Sequence, residues 1–247
     1  MTPPNEPNSG RILDYWLGGK HHYPMDVHAA DQFSAIYSGF PGVFRELRNF
    51  IGRGSRYIAR QKVSRFLVFG AGIPTQGNVH EAVPDARVYY TDIDEHNVQL
   101  GREILASNSK CSYGRCDATD LSTLDRREME SVLGADGPLG IVFVGFACFI
   151  SDDVLRTTFE RLYDLGPVGS FLMADFDSYA FPSAVGEAFR SAGLTYTLRG
   201  PAEVGSLLGP WRPTELGILP VGRWGVEEQS RQESGGSEFH YVVMLQK

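Results

Sequence analysis

Four short apolar runs cut the middle of this chain into segments, and the stretches between them carry helical spacing. The runs are Phe66-Leu67-Val68-Phe69 closing on Gly70, Arg87-Val88-Tyr89-Tyr90-Thr91 closing on Asp92, residues 140–146, and residues 170–174 closing on Asp175. Between them, residues 97–106, 125–133, 152–165 and 184–192 show the period of buried helix faces. Continuous apolar strands alternating with helices require a parallel sheet covered on both faces, an α/β doubly wound architecture. Residues 111–116 are polar but fall where a further strand belongs. Near the end, residues 216–221 and 239–245 are two strands without a helix between them, so an antiparallel hairpin is expected to close the sheet. Their connection, 227–238, is rich in Gln, Glu, Ser and Gly and reads as mobile.

The first quarter differs. Residues 11–59 have a helical pattern broken by Gly18-Gly19, Pro24 and the turn at 39–42. Phe44, Leu47, Phe50, Ile51 and Ile58 share one helix face. The expected division is a flexible tail at 1–10, a helical segment at 11–62 covering the site, and an α/β core at 63–247. With 247 residues, 42% of them hydrophobic, the chain can bury one large core. Acids outnumber bases by 30 to 23, which argues against a nucleic-acid ligand. The cysteines, Cys111, Cys116 and Cys148, form no CxxC and no disulfide framework. The polar start is unlike a signal peptide, and the longest apolar run is about half of a membrane crossing. A soluble cytoplasmic protein with a small-molecule partner is expected, with no membrane partner and its oligomeric state left open.

In open α/β sheets, ligands bind beyond the carboxyl ends of the strands. After the first strand comes Gly70-Ala71-Gly72-Ile73-Pro74-Thr75, where the glycines permit a sharp turn and a close ligand approach. Asp92, about 20 residues on, is placed to accept hydrogen bonds from ribose hydroxyls. Asp117, after the third strand, is placed to receive an adenine amino group. The pattern points to an adenosine-containing ligand. No Lys-Ser/Thr follows the glycines, so a triphosphate P-loop is excluded. A dinucleotide site favours a third glycine, which leaves S-adenosylmethionine.

The chain resembles a bacterial S-adenosyl methyltransferase family marked by an N-terminal D-Y-x-L-G-G-K motif, here Asp14-Tyr15-Trp16-Leu17-Gly18-Gly19-Lys20. The family's glycine-turn motif is matched by residues 66–81, ending in Gly77-Asn78-Val79-His80-Glu81. The Asp92-x-Asp94 strand end, Arg199-x-x-x-Glu203-Val204 and residues 217–224 are similar as well. The resemblance implies a class I methyltransferase fold: a mostly parallel seven-stranded sheet with a terminal antiparallel strand. It implies S-adenosylmethionine contacts from Tyr15, Gly19, Lys20, Gly70, Ala71, Gly72, Pro74, Asn78, Asp92, Ile93, Asp117, Ala118 and Phe146. Within that set, the segment from Tyr15 to Lys20 would cover the cofactor, and Lys20 would face its carboxylate. His80 and Glu81 read as ties between the glycine loop and its helix.

Where family members carry an acid in the first strand, this chain has Val68. Where they show Leu-His-Phe, it has Ala147-Cys148-Phe149. Either change means a weakened cofactor site or one reshaped for other chemistry. His21, His22 and His28 lack the spacing of a zinc set, so no metal is expected. The substrate side is assigned to His21, Cys148, Phe149, Asp177 and Tyr179, with His22 and Tyr23 as general-base candidates. The leading expectation is methyl transfer to a partly apolar small molecule of the kind found in secondary metabolism. One alternative breaks a different sulfonium bond, by aminocarboxypropyl transfer or by cyclisation with release of methylthioadenosine. Another is a non-catalytic binding protein on the same fold.

Overall fold

A computed structural model describes residues 6–226 and 238–247. Five strands, β1 (Arg65–Phe69), β2 (Arg87–Asp92), β3 (Cys111–Arg115), β4 (Gly140–Phe143) and β5 (Phe171–Asp177), lie parallel in the order β3-β2-β1-β4-β5. The last strand, β8 (His240–Gln246), runs antiparallel beside β5, from Phe171 opposite Gln246 to Asp177 opposite His240. The order reverses between β1 and β4, which opens a crevice at the carboxyl ends of those two strands.

The outer edge departs from expectation. Instead of one strand over 216–221, two short strands pair with opposite ends of β8: β6 (Arg212–Pro213) and β7 (Leu219–Pro220). The sheet therefore has eight strands rather than seven. Pro213 and Pro220 lack an N–H for the ladder, and Gly217 turns the chain between them at φ +66. The connecting stretch at 227–237 lies outside the described residues.

Side chains alternate across the sheet. Phe66, Val68, Val88, Tyr90, Val142, Met173 and Met244 meet α3 (Phe40–Arg60) and α5 (Glu95–Leu105). Leu67, Phe69, Tyr89, Ile141, Phe143, Leu172 and Val243 meet α6 (Arg126–Leu133), α7 (Asp152–Leu165) and α9 (Pro201–Leu207) on the opposite face. At Gly54 of α3, a Cβ would come within 3.2 Å of both methionine side chains, so glycine lets this helix lie close to the sheet.

Residues 8–10 correct the expectation of a tail. Ser9 begins α1 (Ser9–Trp16), and the Asn8 side chain accepts from the N–H groups of Gly10 and Arg11. That cap satisfies two donors the first turn leaves open. Asn8 Nδ2 also donates to Asp94, the N-cap of α5, at 2.9 Å. Two helix starts are thereby pinned together at the mouth of the crevice. α2 (Pro24–Ile36) packs on α1, and Ile12, Trp16, Ala30, Phe40, Val43, Phe181 and Phe239 share a third apolar cluster with Val185 of α8 (Ser183–Ser191). Among the described residues, no helix is long and apolar enough to cross a membrane.

Candidate active site at the strand switch

The turn after β1 uses glycine where the backbone demands it, with φ of +57 at Gly70 and +63 at Gly72. Asp92 holds this turn in place. Its Oδ2 accepts from Gly72 N at 2.9 Å, and its Oδ1 accepts from Asp94 N at 3.0 Å and Asn97 Nδ2 at 3.4 Å. Burial raises the Asp92 pKa, while the backbone donors of Asp94 and Gly72 draw it back. Tyr113 adds a buried bond from its hydroxyl to Gly72 O at 2.7 Å. After β3, Asp117 Oδ1 accepts from the N–H and hydroxyl of Thr119, at 2.8 and 2.7 Å. Its other oxygen has no partner among the described residues.

These strand ends open onto a cavity of about 350 Å³. One end is polar and presents Asp92, Asp117, Thr119 and the glycine turn. The other is aromatic, with Trp16, Phe33, Phe40, Phe44, Phe149 and Phe189 in its wall. Trp16 stacks on Phe40 and Phe44 at 5.2 and 5.4 Å between ring centroids. Gly145 also faces the cavity at φ +98, and a Cβ there would meet only open space. Arg48 of α3 is the one cationic side chain in the wall among the described residues.

The turn after β4 is held from behind. Buried Arg199 donates to the carbonyls of Ala147 and Ile150 and to Asp152, at 3.0, 2.6 and 2.9 Å. It thereby fixes the short helical turn at Ala147–Phe149 that presents Phe146 and Phe149 to the cavity.

Of the residues expected at the site, Gly70, Ala71, Gly72, Asp92, Ile93, Asp117, Ala118, Phe146 and Phe149 line the cavity. Pro74 and Asn78 do not. Asn78 starts the short helix α4 (Val79–Ala82), with its N–H bonded to Glu81 at 3.0 Å. His80 bonds Tyr90 and Glu81 bonds the backbone of residues 77 and 78, the ties expected of them.

Tyr15, Gly19, Lys20, His21, His22 and Tyr23, expected to cover the cofactor or meet the acceptor, do not line this cavity. Lys20 is exposed. The motif instead ties itself together through buried Asp14. That carboxylate accepts from His21 N at 2.7 Å and from the Thr75 hydroxyl at 2.9 Å, and it lies 3.1 Å from the His22 ring. Thr75 belongs to the glycine loop, so Asp14 connects the two sequence motifs. Tyr15 packs edge-on against His22, and Tyr23 begins α2 with its N–H on Asp26. Gly19 is required here because a Cβ would collide with the Asp14 carboxylate. Gly19→Ala is expected to cost about 1–3 kcal/mol in denaturant unfolding, as overpacking does elsewhere. A loss below about 0.5 kcal/mol would show that the collision relaxes freely.

The remaining expected substrate residues, Cys148, Asp177 and Tyr179, do not line the cavity. Tyr179 is exposed and bonded to Glu203. Cys148 is buried, and burial pushes its thiol well above the ordinary pKa, with Asp177 and Asp175 adding to the shift. Such a thiol is a poor nucleophile. Asp177 accepts from the Tyr196 hydroxyl at 2.7 Å and lies 3.2 Å from His240 Nε2, while Asp175 accepts from Gly145 N at 2.6 Å. Asp175, Asp177 and His240 are the one grouping of described residues close enough to share a metal ion. Within the fold His240 Nε2 faces both carboxylates, at 3.6 Å from Asp175 and 3.2 Å from Asp177, while its buried Nδ1 has no partner among the described residues.

Burial raises the Asp175 pKa to about 6, against the pull of His240. A carboxyl whose folded pKa is raised favours the fold when protonated. Its contribution is full near pH 4 and declines as pH rises to about 6. Relative to Asp175→Asn, the unchanged protein should therefore lose thermal stability across that interval. Parallel melting curves for the two proteins would contradict this.

A family model described as S-adenosyl methyltransferase matches residues 3–245. The chain belongs to this family. A solved DUF574 family protein from Streptomyces avermitilis is 26% identical, with 98% of each chain covered and a TM-score of 0.87. A putative methyltransferase from Thermobifida fusca is also 26% identical, over 100% of this chain and 99% of that one, with the same TM-score. The magnesium protoporphyrin IX methyltransferase of Synechocystis, solved with bound S-adenosylhomocysteine, shares the fold at 11% identity and a TM-score of 0.57, over 96% and 93% of the two chains. No curated protein matches the chain. The methyltransferase fold that the resemblance implied and S-adenosylmethionine as cofactor thus stand, and the chain is a transferase by family.

Proposed function

We propose that this methyltransferase transfers a methyl group from S-adenosylmethionine to a small, largely apolar acceptor held against the aromatic end of the cavity. The observation that carries this reading is one cavity with a polar, acid-bearing end and an aromatic end. The polar end fits the cofactor. Asp117 keeps one oxygen without a described partner, Asp92 reaches the cavity beside the glycine turn, and Gly145 leaves open space where a side chain would intrude. Asp92 would hold the ribose hydroxyls, Asp117 the adenine amino group, and Ile93, Ala118 and Phe146 the faces of the base. When bound, the cofactor supplies a methyl group activated by a sulfonium.

The chain's contribution is then mostly orientation. The aromatic wall excludes water and aligns the acceptor with the methyl carbon. Among the described residues, that wall carries no histidine, lysine or tyrosine, and His22 and Tyr23 stand away from it. An acceptor that attacks without losing a proton to the enzyme, such as a carboxylate, a thiolate or a free amine, suits it best.

The experiment is a screen of apolar small acceptors with methyl-labelled S-adenosylmethionine, followed by product identification. Label in the acceptor and S-adenosylhomocysteine as co-product are expected. Methylthioadenosine would favour breakage of a different sulfonium bond, and tight binding without product across the panel would favour a binding protein.

A further inference from the structure

The methionine end of the cofactor is a zwitterion, and the cavity offers its two charges unequal partners. Asp92 and Asp117 stand at the ends of β2 and β3, at the polar end assigned to adenosine. On β1, where an acid would face the ammonium, Val68 presents an apolar side chain to the cavity. Arg48 is the cationic side chain on the wall, and it carries no ion pair with a described carboxylate. Its Nη1 donates to Asn78 Oδ1 at 3.1 Å and its Nη2 to Ala71 O at 3.4 Å. Glu81, a carboxylate whose charge acts on it, is already bonded to Gly77 N, Asn78 N and Asn78 Nδ2.

Two of the five N–H groups of the guanidinium are thus used to fix its position, and the other three have no partner among the described residues. A half-buried cation without a counter-ion gains by pairing with an anion. The glycine turn, through Ala71 O, holds the guanidinium at the cavity.

We infer that Arg48 binds the carboxylate of the cofactor's methionine arm, so that this site recognises the cofactor by its carboxylate and is nearly indifferent to its amino group. The inference rests on the proposed function and adds to it which charge of the cofactor the chain reads. An arginine–carboxylate contact is charge-assisted and directional, whereas an ammonium beside Val68 gains nothing comparable.

The test is calorimetric binding of three thioether ligands to the unmutated protein: S-adenosylhomocysteine, its deaminated analogue and its decarboxylated analogue. Decarboxylation is expected to weaken binding about 30-fold or more, and deamination less than about 3-fold. In Arg48→Met, S-adenosylhomocysteine should bind no better than the decarboxylated analogue binds the unmutated protein. The ligand series needs no variant, so it decides the matter even if Arg48→Met folds poorly. An equal or larger cost for deamination overturns the inference and leaves the proposed function standing, as does unchanged binding in a folded Arg48→Met. Failure of S-adenosylhomocysteine and S-adenosylmethionine to bind the folded, unmutated protein overturns both.

Discussion

Asp92→Ala is expected to weaken S-adenosylhomocysteine binding about 100-fold while leaving a folded chain. On the proposed reading the carboxylate has two tasks. Towards the protein it accepts from Gly72 N, Asp94 N and Asn97 Nδ2, which fixes the glycine turn against the start of α5. Towards the cavity it receives ribose hydroxyls. A hydrogen bond to a charged group is worth about 1.5–3 kcal/mol net, so losing a ribose contact and the fixed turn together removes about 3 kcal/mol, or about 100-fold. The orphaned Gly72 N–H adds a stability loss of about 1–3 kcal/mol. Asp92→Asn keeps one acceptor oxygen and loses the charge, so its affinity should fall between the two. Calorimetry and thermal melting separate the terms. Binding within about 3-fold of the unmutated protein would place the ribose elsewhere.

The core of the fold was legible because parallel strands buried on both faces must be continuously apolar, as β1, β4 and β5 are. The acids closing β2 and β3 and the glycines closing β1 were legible for a related reason. Strand ends at the order reversal face the crevice, and only certain residue types suit that position. The outer edge was not legible. Residues 216–221 look like a strand, but Pro213 and Pro220 break the ladder into two short pieces whose partner is set by β8 alone.

The D-Y-x-L-G-G-K segment shows a different limit. A motif reveals that residue types matter, not whether they face a ligand or one another. Here Asp14 directs them inward, to His21, His22 and Thr75. The converse holds for Arg48. It sits between Phe44, Leu47 and Ile51 at i, i+3, i+4, i+7 spacing, a charge on an apolar helix face. That anomaly was a readable sign of a group aimed at a ligand. The aromatic wall carried no such sign, because Trp16, Phe40 and Phe189 come from three helices that only the tertiary fold brings together.

The largest stability effect is expected at Asp26. Arg11 and Asp26 are 1% and 0% exposed and paired at 2.8 Å, and Asp26 also accepts from the backbone N–H of Asn8 and Tyr23. This carboxylate therefore joins the chain before α1, the side chain of Arg11 and the start of α2. Asp26→Ala leaves Arg11 buried without its counter-ion, a change that costs about 3–5 kcal/mol. Replacing both partners, as Arg11→Met with Asp26→Leu, removes the orphaned charge and should recover part of that loss. Burial by itself would raise the Asp26 pKa, but the bonds from Arg11, Tyr23 and Asn8 outweigh it and hold the pKa below its ordinary 3.8. A depressed carboxyl stabilises the fold above the unfolded pKa and loses that contribution as pH falls through the folded one. Unfolding below about pH 4 should accordingly be shallower in Asp26→Asn than in the unmutated protein. Because α1 supplies Ile12, Leu13 and Trp16 to the cavity, cofactor binding should weaken along with stability in Asp26→Ala. A melting temperature unchanged in Asp26→Ala would mean that the pair does not anchor α1, and that the capped start at Asn8 alone holds the helix over the site.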